Sequence, residues 1–508
     1  MAKGKPPGDT AVIDEYRVLA DAVPANVRIV HLPEESVPLY DVGLPELGPA
    51  TEALLESLRD EIAAKVPIDV EGVTDPKKFE VMKQRFLDDL RAVVRKHLAP
   101  QDSSKLDIVA GMLLHRMYGL GFLELLLADN WLEELAINGA DQPLAVYHKK
   151  HGWCKVNQKL AGEEEIFNLA SQIGRKVGRE ITSLHPIMDA HLLTGDRVAA
   201  TLFPISTAGN TITIRRFARN PWTVIHLIEG STMSIEMAAM LWQAIHYELN
   251  VLVAGGTASG KTSLLSALAA LIPPTQRIIS IEDTREIALP EALHWNWIPL
   301  TTRNPNPEGQ GEVTMLDLMV SALRMRPDRI IVGEVRRKAQ AETMFEAMHT
   351  VHSVATTLHA DTVEQVKRRL VEPPIAIPQT EVEALQLVLV QFRDRRKGIR
   401  RTSELAEILT GGKSALEINY LYRWRPRTDT FEQAAASIRV AEEINLRTGM
   451  THKEITADLR ERTAILDWML RHKLREINDV GAVMRLYYRD PEELLSAVKH
   501  NRAPELVL

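Results

Sequence analysis

Val251-Leu-Val-Ala254 followed by Gly255-Gly256-Thr257-Ala258-Ser259-Gly260-Lys261-Thr262 and then Ser263-Leu-Leu-Ser-Ala-Leu-Ala-Ala-Leu-Ile272 is the stretch that decides the fold. It reads as a short buried strand, a glycine-rich loop and a helix, in the order that makes such a loop a phosphate cradle. Glycines let backbone N–H groups turn inward around a β-phosphate, and the helix N-terminus adds positive potential. Lys261 is placed to neutralise β- and γ-oxygens, and the Thr262 hydroxyl to ligate Mg²⁺. Residues 255–263 are therefore the expected nucleoside triphosphate contacts. The bland alternative is an accidental glycine-rich turn, which the correct strand and helix flanks argue against.

The rest of the chain limits what such a loop can serve. A length of 508 residues predicts about three domains, and 45% hydrophobic content suffices for more than one core. A net charge of −7 lacks the overall basic field expected of a protein whose main partner is nucleic acid. Cys154 is the single cysteine, so disulfides and cysteine-cluster zinc sites within one chain are excluded, which fits a reducing, cytoplasmic location. No apolar run has the length needed to span a bilayer.

Periodicity divides the chain into four parts. Residues 1–104 read as an N-terminal arm, to about residue 48, and a helical subdomain with amphipathic segments near 50–66 and 75–98. Residues 105–220 read as an α+β domain, with helical stretches near 105–129 and 164–178 and strands at 132–137, 144–147, 197–203 and 211–217. Asn220-Pro221 marks a linker. Residues 221–418 alternate strands and helices, the pattern of a parallel sheet with right-handed crossovers, and 419–508 read as a hairpin followed by helices. The run Arg393 to Arg401 is expected to be a solvated hairpin tip, with anion binding as the alternative.

Hydrolysis of a γ-phosphoryl group needs an acid to orient water, a group near Mg²⁺ or the γ-phosphate, and positive charge for the transition state. Candidates stand at predicted strand ends, where ligands bind in open α/β sheets. Ile281-Glu282-Asp283-Thr284-Arg285-Glu286 follows one strand, with Glu286 the first choice for positioning or activating water and Glu282 and Asp283 behind it. A solvated acidic turn is the alternative. Ile330-Ile-Val-Gly-Glu334 is an apolar strand ending in an acid, with Gly333 where an aspartate would be expected, so Glu334 would hold Mg²⁺ through water or orient the nucleophile. His352 and His359 bracket the strand 354–358. Either is a structural histidine or a sensor of the γ-phosphate.

Together these motifs resemble the secretion and pilus-assembly motor ATPases of type II secretion, type IV pili and the archaellum. The resemblance is carried by residues 255–262, 281–287, 330–336 and 357–362, with weaker likeness from about 105 to 410. It implies a RecA-like P-loop NTPase domain within an α/β architecture, preceded by a smaller α+β, PAS-like domain and a helical N-terminal region. It implies ATP and Mg²⁺ as cofactors, and Glu286 and Glu334 as the acidic-box and Walker B glutamates. His352 and His359 become the histidine-box pair, and Arg197, Arg215 and Arg216 the arginines that complete the site from the preceding domain. It further implies a homo-hexamer at the cytoplasmic face of the membrane, bound to a multispanning inner-membrane platform protein and acting indirectly on pilin-like subunits. Two features depart from the pattern: Val351 stands where glycine is usual, and the four-cysteine zinc insertion of bacterial members is absent, which brings the chain nearer the archaeal branch. A nucleic-acid-translocating P-loop ring is the competing reading; a guanine-reading Asn-Lys-x-Asp element, as a GTP switch would need, is not found.

Overall fold

The computed structural model describes residues 11–45, 49–65, 76–98, 105–192, 194–217, 221–305, 309–350, 352–394, 396–409 and 416–508. It forms two compact units, residues 1–219 and 220–508.

The first unit runs β1 (Ala11–Ala20), β2 (Val23–His31), β3 (Leu39–Gly43), α1 (Pro49–Lys65), α2 (Pro76–His97), α3 (Leu106–Met117), α4 (Leu123–Ala128), β4 (Leu132–Asn138), β5 (Ala145–His148), β6 (Gly152–Val156), α5 (Glu163–Lys176), β7 (Ile187–His191), β8 (Arg197–Thr201) and β9 (Thr211–Arg215). The strands form one sheet in the order β1-β2-β3-β6-β5-β4-β9-β8-β7. Pairing is antiparallel except where β3 meets β6 in parallel, Leu39 opposite Lys155. Residues 11–43, expected as an arm, are thus the first three strands of the sheet that also holds β4–β9. The division at 104/105 does not separate two folds. Val23, Ala25, Val27 and Ile29 supply the alternation that buries one face of β2. The expected helix near 105–129 is two helices, α3 and α4. α1, α2 and α3 share a small core in which Phe86, Leu90 and Val94 recur every fourth residue.

The second unit runs α6 (Val224–Glu229), α7 (Ile235–His246), β10 (Val251–Gly255), α8 (Lys261–Ala269), β11 (Ile278–Glu282), β12 (Trp297–Thr301), α9 (Met315–Ala322), β13 (Arg329–Val332), α10 (Lys338–His349), β14 (Ser353–Leu358), α11 (Val363–Val371), α12 (Gln379–Val382), β15 (Leu387–Asp394), β16 (Ile399–Leu409), β17 (Glu417–Arg425), β18 (Thr430–Gln433), α13 (Arg439–Thr448), α14 (His452–Arg471), α15 (Ile477–Arg489) and α16 (Pro491–Lys499). Its sheet has the order β12-β11-β13-β14-β10-β15-β16-β17-β18. The first six strands are parallel and the last three add on antiparallel. This is the RecA-like P-loop arrangement.

Every residue of β10 is buried because helices cover both faces of the sheet. Val251 and Val253 enter one core with α7, α8 and α14, while Leu252 and Ala254 enter the other with α9, α10 and α11. Burying each valine or leucine among them contributes about 1.5–3 kcal/mol. β17 and β18 continue the sheet and α13–α16 share the core of α7 and α8, so 221–418 and 419–508 are one folded body. Among the described residues, no helix is long and apolar enough to cross a membrane.

A buried cation ties the C-terminal helices to this core. Arg462 on α14 is 0% exposed; its Nε lies 3.0 Å from Asp458 Oδ2 and its Nη2 donates to His246 Nδ1 at 2.6 Å. The rings of Trp242 and Tyr487 lie 4.8 and 5.1 Å from its guanidinium carbon. Burial and the adjacent guanidinium push His246 down to about 4, so it accepts as a neutral ring. Arg462→Ala leaves Asp458 without its cation and is expected to cost roughly 3–5 kcal/mol in denaturant unfolding. Arg462→Ala with Asp458→Ala should cost clearly less than the two single changes added; simple additivity would contradict this account.

Candidate active site

Parallel pairing brings the carboxyl ends of β10, β11, β13 and β14 to one edge of the sheet, and the loop after β10 occupies it. Gly255 has φ of 151°, and a Cβ there would stand 2.4 Å from both the Gln391 carbonyl and Ser259 Oγ. Gly260 has φ of 94° and starts α8 with no side-chain cap. Both positions therefore require glycine. Ser259 Oγ donates to the Gly256 carbonyl at 2.9 Å and closes the loop. Lys261 is only 8% exposed, and its Nζ donates to the carbonyls of Gly255 at 3.0 Å and Gly256 at 2.9 Å. Thr257, Ala258 and Ser263 are exposed on the outer side, and Thr262 is half-buried on the first turn of α8.

This geometry fits a polyphosphate. A buried ammonium held by neutral carbonyls and an uncapped helix N-terminus are two sources of positive potential aimed at one space. Burial lowers the pKa of Lys261, and the fields of Glu334, Glu286 and Asp361 oppose that shift. Those carboxylates are close enough to act on the amine. Asp361 Oδ1 would lie 3.1 Å from a Cβ on Gly256, so it borders the loop directly.

Glu334 is the junction of the polar network. Its Oε2 accepts from Arg336 Nε at 2.8 Å and Nη2 at 2.6 Å, and Arg336 Nη1 reaches Asp283 Oδ2 at 3.0 Å. Its Oε1 lies 3.0 Å from His359 Nε2, an ion-pair distance without hydrogen-bond alignment. His359 Nδ1 is in turn 3.5 Å from Lys261 Nζ. Burial, with Lys261 next, lowers the pKa of His359, which favours a neutral ring between lysine and glutamate. Arg369 Nη1 donates to the His359 carbonyl and fixes that turn.

Glu282 acts on the loop rather than on solvent. It is 2% exposed, and its Oε1 accepts from the backbone N–H groups of Glu286 at 2.8 Å and Ile287 at 2.9 Å. Oε2 is buried without a hydrogen-bond partner. The carboxylate thereby clamps the segment that presents Glu286.

Of the remaining candidates, His352 lies at the other edge of the sheet. His352 precedes β14, whose six residues separate it from His359 by roughly 20 Å. It lines a separate pocket of about 330 Å³ with Asn250, His349 and Gln386, at the opposite edge of the sheet. Val351 lies outside the described residues. Arg197, Arg215 and Arg216 belong to the first unit. Arg197 pairs with Asp189 through Nε at 2.9 Å and Nη2 at 2.5 Å, and stands opposite Arg215 on β9. Arg216 Nη1 donates to the carbonyls of Asp129 and Leu132. Asp361, Arg336 and Arg369 were not singled out by sequence, although Arg336 and Asp361 sit inside quoted motifs.

Burial pushes the Glu282 carboxyl up to about 7. A raised carboxyl is protonated in the fold and ionised after unfolding between about pH 4.5 and 7, so stability should fall as pH rises through that window and then level off. The total is roughly 3 kcal/mol. Glu282→Gln keeps the accepting oxygen but has nothing to ionise. Denaturant unfolding at pH 5 and pH 8 should show the wild type losing more stability than the variant; equal losses would contradict the assignment.

Residues 181–396 match the family model described as Type II/IV secretion system protein. The uncharacterized protein MJ0900 of Methanocaldococcus jannaschii is 33% identical over 380 residues, 73% of this chain and 68% of that protein. The uncharacterized protein MJ0781 of the same organism is 46% identical over 242 residues, but this chain spans only 33% of its length. Among solved structures, the VirB11 ATPase of the Brucella suis type IV secretion system is 24% identical, with TM-score 0.29, over 55% of this chain and 90% of that one. The chain belongs to the type II/IV secretion system protein family.

Proposed function

We propose that this chain hydrolyses ATP at residues 255–262 and couples the reaction to mechanical work in a secretion or filament-assembly machine. The observation that carries the reading is the convergence on Lys261 of His359, Glu334, Glu286 and Asp361 around an uncapped helix start. In this reading backbone N–H groups of the loop hold the β-phosphate, and Lys261 exchanges its carbonyl partners for phosphate oxygens. Mg²⁺ would supply positive charge to offset that of the phosphate oxygens. Thr262 would hold it directly and Glu334 through water. Glu286, held in place by Glu282, orients the attacking water. His359 stands between Lys261 and Glu334, so a change in charge at the phosphate is felt by the acid and, through Arg336, by Asp283.

The larger assembly is part of the same proposal. Arg197, Arg215 and Arg216 would complete the transition-state charge from the first unit, a contribution worth about 10³–10⁵ in rate for such arginines. The chain would work as a homo-hexamer on the cytoplasmic face of a membrane, docked on a multispanning platform protein and moving pilin-like subunits. No observation here favours the nucleic-acid alternative.

Phosphate release by the purified chain tests the reaction. Lys261→Ala is expected to lower the rate at least about hundredfold, and chelating Mg²⁺ should do the same. Glu286→Gln should lose turnover while still binding ATP. A Lys261→Ala protein with wild-type turnover would overturn the assignment, and stimulation by DNA would favour the competing translocase. Mixing Arg215→Ala with Glu286→Gln chains should restore some activity if neighbouring subunits share sites; no recovery would place each site within one subunit.

A further inference from the structure

The acids and the histidine that the second unit supplies for hydrolysis lie on one side of the P-loop strand. In the sheet, β11, β13 and β14 carry Glu282, Glu334 and His359, and β10 separates them from β15 and β16. On that other side Arg400, near the start of β16, reaches the loop itself. Its Nε donates to the Ala258 carbonyl at 3.3 Å, and its Cδ would lie 3.5 Å from a Cβ on Gly260. Arg400 therefore packs on the loop between the two residues that bracket Ser259.

The surroundings of Arg400 favour an anion. Gly255 pairs with Gln391, so the strand ends beyond Gln391 extend past the start of the loop. There Arg393 and Arg400 are directly opposed across β15 and β16. Among the described residues, no carboxylate lies within ion-pair distance of Arg400. The adjacent Arg401 is compensated: its Nε and Nη2 each bond Asp429 at 2.7 Å. That pair anchors β16 and leaves Arg400 facing the loop. The arginine run expected to be a solvated hairpin tip thus has one member in the P-loop.

We propose that Arg400 is a phosphate ligand supplied from the β15–β16 hairpin, gripping the phosphates on the side away from the hydrolytic groups. The inference rests on the proposed nucleotide site. Because the γ-phosphate is presented to Glu286, Glu334 and His359, Arg400 contacts the α- and β-phosphates, which ADP and ATP share. Its contribution is the same before and during hydrolysis, so it sets nucleotide affinity and not the rate of the chemical step.

Titration calorimetry of the full chain with ADP and with a non-hydrolysable ATP analogue, at two salt concentrations, tests this. Arg400→Ala is expected to weaken both ligands about tenfold, as loss of a charge-assisted contact should, with kcat within twofold of wild type. The salt dependence of binding should become shallower. Arg400→Gln should behave alike, and circular dichroism checks that both variants fold. Unchanged affinity overturns the proposal, as does a loss confined to the ATP analogue or to kcat, which would mark a transition-state arginine. Weaker binding with an unaltered salt dependence also overturns it, since that marks a prop for the loop. If the wild type itself binds neither ligand, the nucleotide reading fails and takes this inference with it.

Discussion

The second unit is built around a strand that cannot end quietly. β10 is buried along its whole length, so the chain leaves it at the carboxyl edge of a parallel sheet and must turn at once into α8. Several other helices of the unit begin with a side chain that accepts from the first turn, Ser234 for α7, Thr314 for α9 and Thr362 for α11, whereas α12 and α13 do not. α8 begins with Gly260 and no such acceptor. The first residue of α8 is a buried lysine. A fold that gathers donors and a cation in one place, and caps neither with a carboxylate, is organised to receive an anion.

Electrostatics then explains why the acids stand where they do. Glu334 is held by Arg336 through two hydrogen bonds and stands beside His359. Glu282 carries the cost of burial and in exchange orders two backbone N–H groups of the neighbouring segment. The charges around the loop are thus linked from the end of β13 to those of β11 and β14, and in the proposed function this would let a change at one phosphate reach several elements. Away from this edge the same principle serves stability alone, as with Arg462 among its aromatic rings.

Much of the nucleotide edge was legible in the sequence because its elements are local. The loop lies between an apolar run and a helix, Glu334 follows the contiguous apolar run Ile330-Ile-Val332, and His359 the β-rich run Val354-Ala-Thr-Thr-Leu358. What escaped reading depended on pairings distant in sequence. β1–β3 look like an arm because Pro24, Pro33 and Pro38 interrupt their pattern, and β3 finds its partner β6 more than a hundred residues later. His352 and His359 look equivalent on either side of one strand, yet a parallel sheet sends its two ends to opposite edges. Arg400 looks like one charge in a basic run until β15 pairs beside β10 and carries the hairpin to the loop.

The most direct measurement is a structure of the chain with a non-hydrolysable ATP analogue and Mg²⁺. The account predicts the triphosphate within residues 255–262, Lys261 Nζ transferred from the Gly255 and Gly256 carbonyls to phosphate oxygens, and Glu286 and Glu334 beside the terminal phosphate. A nucleotide bound elsewhere, or Lys261 still held by its own loop with the triphosphate in place, would contradict it.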